Sequence, residues 1–195
     1  MRARAVFAFL CALVTFASGC SSPTVRFYTL SADATPGSVP SNLSLAVGPV
    51  SVPPMVNRAQ IVVTAAAHQV SIDDYNRWAS PLQDEIARVV AENLATMLGT
   101  RRVTLFSSSL SSEIDYRVQI EVRTFESSPG KDVSLDALWM VRRMKDEMRQ
   151  VGRSSVREPV HQNGFEELAT AHSRAIARLS QDIALAVRML EGGQP

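Results

Sequence analysis

Strict alternation of apolar and polar residues in the second half of the chain predicts a β-strand. Tyr116, Val118, Ile120 and Val122 alternate with charged or amide side chains. Because successive side chains of a strand point to opposite faces, this strand is expected to have one buried face and one solvent-exposed face. Such a strand belongs to a sheet that is covered on one side, which argues against a doubly wound parallel sheet.

Seven other segments are predicted to be strands because they are rich in β-branched and aromatic residues or alternate in the same way. They are residues 26–30, 43–52, 60–64, 69–72, 102–107, 133–142 and 148–156. The third and fourth of them are expected to pair as a hairpin. Loops or turns are expected where proline, glycine and small polar residues gather, and also at the connection of this hairpin, which lacks a clean turn signature. These are residues 31–41, 65–68, 108–113 and 127–131.

The stretch around residues 133–144 fits two interpretations. Its alternation favours a strand, whereas Met140, Met144 and Met148 lie four residues apart, as on one face of a helix. We prefer the two strands named above, with a turn near Lys145.

The first predicted helix spans residues 81–98. Ser80 is expected to cap it, with Pro81 in the first helical position and Gln83 completing a capping box. Gly99 is expected to end it. The apolar residues recur at the spacing of one helical face. They are Leu82, Ile86, Val89, Val90, Leu94, Met97 and Leu98.

The second predicted helix spans residues 164–190. Asn163 is expected to cap it, with Glu166 three residues further on, and Gly192-Gly193 is expected to end it. One apolar stripe runs along its length. The stripe consists of Phe165, Leu168, His172, Ile176, Leu179, Ile183, Val187 and Leu190.

Together these elements predict an α+β fold. We expect a two-layer sandwich in which the two long helices pack on one face of a mostly antiparallel sheet. Residues 26–195 have the length of a single domain, and they contain no internal repeat.

The N-terminal residues have the pattern of a bacterial export signal. Arg2 and Arg4 precede an uncharged run over residues 5–17, which is too short to span a membrane. The run ends in Ala17-Ser18-Gly19-Cys20, which resembles a lipobox. We therefore expect residues 1–19 to be cleaved and Cys20 to become the lipidated N-terminus, with residues 20–25 as a short tether. The alternatives are an ordinary secretory signal with a chance cysteine, or a cytosolic protein with an apolar N-terminal helix.

Composition excludes several functions for the mature chain. Cys11 is lost with the signal, so no disulfide is expected, and no cofactor is expected beyond N-acyl and S-diacylglycerol groups on Cys20. Removing Arg2 and Arg4 from the 20 Lys and Arg residues leaves 18 against 19 acidic residues. This balance gives no basic field for nucleic acid. No later segment is apolar enough to span a bilayer.

No arrangement of reactive residues predicts catalysis or a metal site. His68 and His161 lie in predicted loops, and His172 is expected to be a packed, hydrogen-bonded core residue. No clustered His or Cys spacing, nucleophile elbow or phosphate loop is present. Asp73 and Asp74 are expected to form a solvated turn rather than an acid/base pair. The chain is therefore predicted not to be an enzyme.

Trp78, two residues before the first capping residue, also fits two interpretations. In the first, its ring covers the start of the helix and fixes the angle of the chain. In the second, it is an exposed aromatic residue at a partner surface, which Tyr75 and Arg77 would join.

The order of these motifs resembles the ABC-type transport auxiliary lipoprotein family, which includes the PqiC lipoproteins. The resemblance rests on the lipobox followed by Arg26-Phe27-Tyr28-Thr29-Leu30, then Val47-Gly48-Pro49-Val50 with Val52-Pro53, then Arg77-Trp78-Ala79-Ser80-Pro81-Leu82, and finally Ser180-Gln181-Asp182-Ile183. The most specific of these motifs is Arg77-Trp78-Ala79-Ser80-Pro81-Leu82.

The resemblance implies a non-enzymatic auxiliary subunit of a system that moves phospholipid or other hydrophobic molecules between membranes. Its partners would be an MCE-domain protein and inner-membrane ABC or integral components. Ser21 after the lipidated cysteine implies the periplasmic face of the outer membrane. Docking to a symmetric partner would favour a homo-oligomer. The competing hypotheses are a pilotin-like assembly lipoprotein and a lipid-anchored hydrolase.

Overall fold

The computed structural model describes residues 23–37, 40–106 and 114–192, which form eight strands and two helices. The strands are β1 Arg26–Tyr28, β2 Ser44–Ser51, β3 Gln60–Ala66, β4 Gln69–Trp78, β5 Arg102–Leu105, β6 Tyr116–Ser128, β7 Asp132–Arg143 and β8 Arg149–Pro159. The helices are α1 Leu82–Leu98 and α2 Phe165–Glu191. The predicted Ser107 end of β5, the loop 108–113, Gly193 and the whole segment 1–22 lie outside the described residues.

A five-stranded sheet in the order β5-β2-β6-β7-β8 forms the larger layer. β2 runs parallel to both β5 and β6, whereas β6, β7 and β8 are antiparallel neighbours joined by hairpins. Both helices cover one face of this sheet and contact each other. The α+β sandwich with two helices on one face is thus confirmed, and the opposite face of the large sheet is open.

A second, three-stranded sheet in the order β1-β4-β3 stands beside the first. β3 and β4 form the predicted hairpin, and β1 pairs with the end of β4 in parallel. The strands therefore divide between two mixed sheets rather than joining one mostly antiparallel sheet. β1 returns along β4, about fifty residues further on, and among the described residues neither β3 nor β4 pairs with a strand of the large sheet.

Alternating burial along β6 and β7 confirms the two-faced strands. β7 buries every second residue from Val133 to Arg143 against the helices. Met140 lies on the open face instead, and Met144 is in the turn after the strand. The strand interpretation of this segment is confirmed, because the spaced methionines do not share a buried face.

The start of α1 differs from the predicted capping box. The helix begins at Leu82, and the residue before it, Pro81, makes no side-chain capping bond. The Ala79 N–H donates to the carbonyl of Tyr28, which holds the preceding chain against β1 (2.8 Å). The prediction that Ser80 caps this helix is therefore wrong. The prediction for its end is confirmed, because Gly99 adopts the left-handed conformation there.

The start of α2 also lacks the predicted cap. The helix begins at Phe165 after Gly164, and no side chain caps it. The side-chain oxygen of Asn163 lies instead against the turn at Gly130, 3.1 Å from where a Cβ on that glycine would stand. The Asn163 cap is therefore wrong, and the first turn carries two glutamates that complement the helix dipole.

Buried polar side chains of the helices fix the chain that follows β1. The carboxylate of Glu85 on α1 accepts a hydrogen bond from the Leu30 N–H (3.1 Å) and pairs with Arg88 (2.8 Å). Asn93, also on α1, accepts from the Asp33 N–H (3.0 Å). On α2, Ser173 accepts from the Ser31 N–H (3.1 Å). These bonds hold the chain that follows β1 against the helical layer.

Candidate functional site

The small sheet begins close to the predicted lipid site. Cys20 lies outside the described residues, and β1 starts six residues after it. An extended chain covers at most about 3.5 Å per residue, so the tether reaches roughly 20 Å. The surface around β1 is therefore the described part of the chain that a lipid on Cys20 would hold nearest to a membrane.

The end of β4 is shaped by the carboxylate of Asp73. Its Oδ1 accepts hydrogen bonds from the N–H groups of Tyr75 (2.9 Å) and Asn76 (2.7 Å) and from the Asn76 side-chain amide (2.9 Å). The Arg77 Nε–H donates to the carbonyl of Asp74 (2.9 Å). Asp73 and Asp74 lie within β4, at a point where the register with β3 shifts, so the prediction of a solvated turn is wrong. The hydrogen bonds to Asp73 hold this irregular part of the strand, which sets the direction of Tyr75, Arg77 and Trp78.

Trp78 belongs to the core. Only 4% of its surface is exposed, and its ring stands edge-on to Phe125 (6.2 Å between ring centres) and to His172 (6.4 Å). The backbone N–H of Trp78 donates to the carbonyl of Ala59 (2.7 Å). The packing interpretation of Trp78 is confirmed, and the alternative of an exposed partner-binding residue is wrong for this residue because helices and sheets enclose it.

Tyr75 and Arg77 remain at the surface and are joined there by residues of β1. Phe27 is opposite Arg77 in the parallel register and is 64% exposed, while Tyr75 is 47% exposed. Val25, two residues before Phe27, is exposed as well. We call Val25, Phe27, Tyr75 and Arg77 the β1–β4 patch. Aromatic rings beside a guanidinium are suited both to a protein partner and to the headgroup region of a membrane.

Sequence reasoning did not single out Phe27 as a contact residue. The available signal is the pair Phe27-Tyr28 in one strand, because neighbouring side chains of a strand point to opposite faces. Tyr28 faces inward, where it donates to Asn76 (2.9 Å) and packs against Phe165 (6.0 Å between ring centres). Phe27 must therefore face outward.

His172 is enclosed in the core of the sandwich. Its ring stacks on Phe125 with 3.8 Å between ring centres, and a 2.8 Å hydrogen bond joins its Nε2 to Ser127 Oγ. The prediction of a packed, hydrogen-bonded core histidine is confirmed. Serine and histidine at this distance are the beginning of a nucleophile and base pair. Both are buried, however, and the second ring nitrogen of His172 has no hydrogen-bond partner among the described residues, so no orienting group completes a triad.

Burial lowers the pKa of His172 from its ordinary value to about 3, because the charged imidazolium would lose its hydration. The unfolded chain therefore takes up a proton near pH 6.5, whereas the folded chain does not. The stability that the neutral His172 contributes is fully present above that pH and is lost as the pH falls below it. Between pH 7.5 and pH 5.0, we expect the free energy of unfolding to drop by about 2 kcal/mol.

Urea unfolding at several pH values tests this expectation. His172→Gln should flatten the pH dependence over this interval, and the exposed His68→Gln should leave it unchanged. An equal pH dependence in the wild type and in His172→Gln would show that His172 does not cause it.

A second polar cluster joins the end of α2 to the large sheet. Arg143, on β7, donates to the carbonyl of Leu190 and pairs with Asp146 (2.7 Å). The Tyr116 hydroxyl donates to Glu191, and burial together with this carboxylate raises the pKa of Tyr116 to about 12. A cavity of about 600 Å³ is bordered by Tyr116, Arg143 and Glu191. Their groups satisfy one another, so the cluster serves to attach the helix end.

Within residues 23–37, 40–106 and 114–192, no group of three or more His, Cys, Asp or Glu side chains is arranged to hold a metal ion. No helix in the same ranges combines the length and apolar character needed to span a membrane.

Comparison with known families gives one match. The model of the ABC-type transport auxiliary lipoprotein component family matches residues 28–184, from the end of β1 into α2. No curated protein matches the sequence.

Solved structures share the fold, and two of them show the extent of the likeness. The crystal structure of an uncharacterized protein has 21% sequence identity and a TM-score of 0.69, and the match covers 84% of this chain and 99% of that chain. A protein of Xanthomonas campestris from the DUF330 family has 18% identity and a TM-score of 0.67, with 86% and 100% covered. At these identities the likeness concerns the fold alone.

Proposed function

Since the chain belongs to the family of ABC-type transport auxiliary lipoprotein components, we propose that it is an outer-membrane-anchored periplasmic subunit of an ABC/MCE-type system. That system would move phospholipid or other hydrophobic molecules between membranes. The subunit would act by docking and not by catalysis. Its partners would be an MCE-domain protein and the inner-membrane components.

The family match is the observation that carries this proposal. It extends over residues 28–184, which include β2 to β8, all of α1 and most of α2. Cys20 lies upstream of the match, in a context that resembles a lipobox. We propose that residues 1–19 are removed, that residues 20–25 form the tether, and that residues 26–195 form the periplasmic domain.

The β1–β4 patch supports a fixed orientation at the membrane. A tether of roughly 20 Å keeps the patch near the bilayer surface. Phe27 and Tyr75 have the aromatic character found at membrane interfaces, and Arg77 can pair with phosphate groups there. We propose that the patch seats the domain against the bilayer or against a partner at its surface, and that the rest of the domain faces the periplasm.

Deletion and complementation test the function and the patch together. We expect the deletion strain to be more sensitive to detergent, and the wild-type gene to restore resistance. A triple variant, Phe27→Ser with Tyr75→Ser and Arg77→Gln, should restore only part of it, because the anchored domain would lose its orientation. The control is Met189→Ser, which changes an exposed apolar residue of α2 and should restore resistance fully.

Normal detergent resistance in the deletion strain, together with a defect in secretion or pilus assembly, would contradict the transport proposal and favour a pilotin-like role. Full complementation by the triple variant would contradict the role of the patch alone.

A further inference from the structure

Three arginines stand side by side on the open face of the large sheet. Arg117 on β6 is directly opposite Arg142 on β7, and Arg142 is directly opposite Arg149 on β8. We call them the arginine row. Like charges in opposite positions of neighbouring strands repel each other and destabilise a sheet. Such a row therefore lowers the stability of the free protein, and a bound anion would remove the repulsion.

Three other arginines of the same face, on β6 and β8, are differently placed. Each of these has a carboxylate partner within the sheet. The pairs are Arg123 with Glu121 (3.4 Å), Arg153 with Asp136 (2.7 Å) and Arg157 with Asp132 (3.6 Å). Positive charge is therefore balanced along most of the face and in excess at the row.

Within the row, the hydrogen-bonding capacity is only partly used. The Arg117 guanidinium lies over the Phe106 ring, 4.4 Å from its centre. Arg142 pairs with Glu147, in the turn that follows β7. The Nε atoms of Arg117 and Arg142 are enclosed and have no hydrogen-bond partner in the described part of the chain. Arg149 is exposed and has no ion pair there.

An apolar strip begins beside the row. Met140 and Val151 are opposite each other in the next outward-facing position, and Leu138 follows along β7. Val151 is 65% exposed. These side chains border a shallow groove of about 330 Å³. From Met140 to Leu138 the strip extends roughly 7 Å along the strand.

We infer that the arginine row and the apolar strip bind a phospholipid. The row takes the phosphate of the headgroup, and the strip takes the first part of an acyl chain. Guanidinium groups bind phosphate oxygens through paired, charge-assisted hydrogen bonds. The guanidinium of Arg149 is exposed and has no ion pair in the described part of the chain, so it can offer its N–H donors to an anion. The inference rests on the proposed function, because it gives this subunit a direct contact with the transported lipid.

The apolar strip favours a lipid over other anions. Inorganic phosphate would use the row alone and gain nothing from Leu138, Met140 and Val151. Nucleic acid would need a longer basic track than three residues, and the face beyond the row is charge-balanced. A phospholipid carries an anion and an apolar chain next to each other, which is the arrangement of this surface.

Titration of the mature full-length protein in a neutral detergent tests the inference. The probe is dihexanoyl phosphatidylglycerol, and the readout is the NMR signals of the arginine Nε–H groups. We expect the signals of Arg117 and Arg142 to shift and saturate. Inorganic phosphate and dihexanoylglycerol, which lacks phosphate, should each bind at least tenfold more weakly.

The test variant is Arg142→Gln with Arg149→Gln, and we expect it to lose at least tenfold in affinity for the lipid. The matched control is Arg157→Gln, an ion-paired arginine on the same face of β8, whose affinity should stay within twofold of the wild type. The double substitution removes the repulsion between like charges together with the partly exposed Arg142–Glu147 ion pair, whose contribution to stability is small, so its urea unfolding midpoint should stay close to that of the wild type. This keeps loss of binding separate from loss of folding.

Three outcomes would overturn the inference. They are unshifted arginine signals, equal binding of inorganic phosphate and lipid, and a concentration-dependent dimer that the double variant loses. The last would assign the face to a second copy of the chain. A deletion strain with altered permeability, combined with unshifted signals, would leave the transport proposal standing and remove the lipid site alone.

Discussion

Replacing Trp78 with alanine is expected to lower the free energy of unfolding by about 4 kcal/mol. Truncating a buried Trp to Ala removes apolar burial and leaves a cavity, and such substitutions typically cost about 3–5 kcal/mol. Trp78 is 4% exposed, and its ring contacts both Phe125 and His172, which belong to different elements. It therefore joins the small sheet, the large sheet and α2. Urea unfolding of the mature protein measures the loss.

Tyr75→Ala is the matched control for this prediction. It removes an aromatic ring from the same strand, but the ring is 47% exposed. Substitutions at such surface positions usually change stability by less than about 0.5 kcal/mol. Similar losses for Trp78→Ala and Tyr75→Ala would contradict the assignment of Trp78 to the core and Tyr75 to the surface.

The substitution Cys20→Ala is expected to release the protein from the membrane entirely. The thiol of Cys20 is the proposed attachment point for diacylglycerol, and each buried methylene of an acyl chain contributes about 0.8 kcal/mol to membrane binding. With the acyl chains absent, the β1–β4 patch is too small to hold the domain on a bilayer by itself. Membrane fractionation and incorporation of labelled palmitate measure the change.

The second cysteine supplies the control for this experiment. Cys11 lies within the apolar run of the proposed signal and would be removed with it. Cys11→Ala should therefore leave both lipid labelling and membrane fractionation unchanged. Wild-type protein that takes up no palmitate, or Cys20→Ala protein that stays in the membrane fraction, would remove the lipid anchor from this account.

Local periodicity was sufficient to predict most of the elements. The alternation in β6 and β7 is a property of consecutive residues, so it can be recognised without knowledge of the fold. It also decided correctly between strand and helix for residues 133–142. The three spaced methionines near that segment had no common face to cover, since Met140 is on the open face and Met144 is in a turn.

Capping motifs were less reliable, because tertiary contacts compete for the same residues. The residue before Ser80, Ala79, donates a backbone hydrogen bond to Tyr28 in β1. This contact holds the chain at the position where the cap was expected. Asn163 lies against the turn at Gly130, more than thirty residues earlier. Neither contact is visible in the sequence near the helix.

The division into two sheets was not predictable either. β1 and β4 pair in parallel across about fifty residues, and no turn signal connects them. The candidate sites depend on the same long-range pairing. Phe27 and Arg77 become neighbours through it, and Ser127 meets His172 across the two layers of the sandwich. The three residues of the arginine row meet through the register of β6, β7 and β8, which a strand pattern alone does not determine.

Crosslinking in intact cells, followed by purification of the full-length protein and mass spectrometry, tests the proposed role most directly. The account predicts that an MCE-domain protein and components of an ABC-type transporter are recovered with the wild type, and that Cys20→Ala protein recovers far less of them. Recovery of a secretion or pilus assembly component in their place, with no transporter subunit, would contradict it.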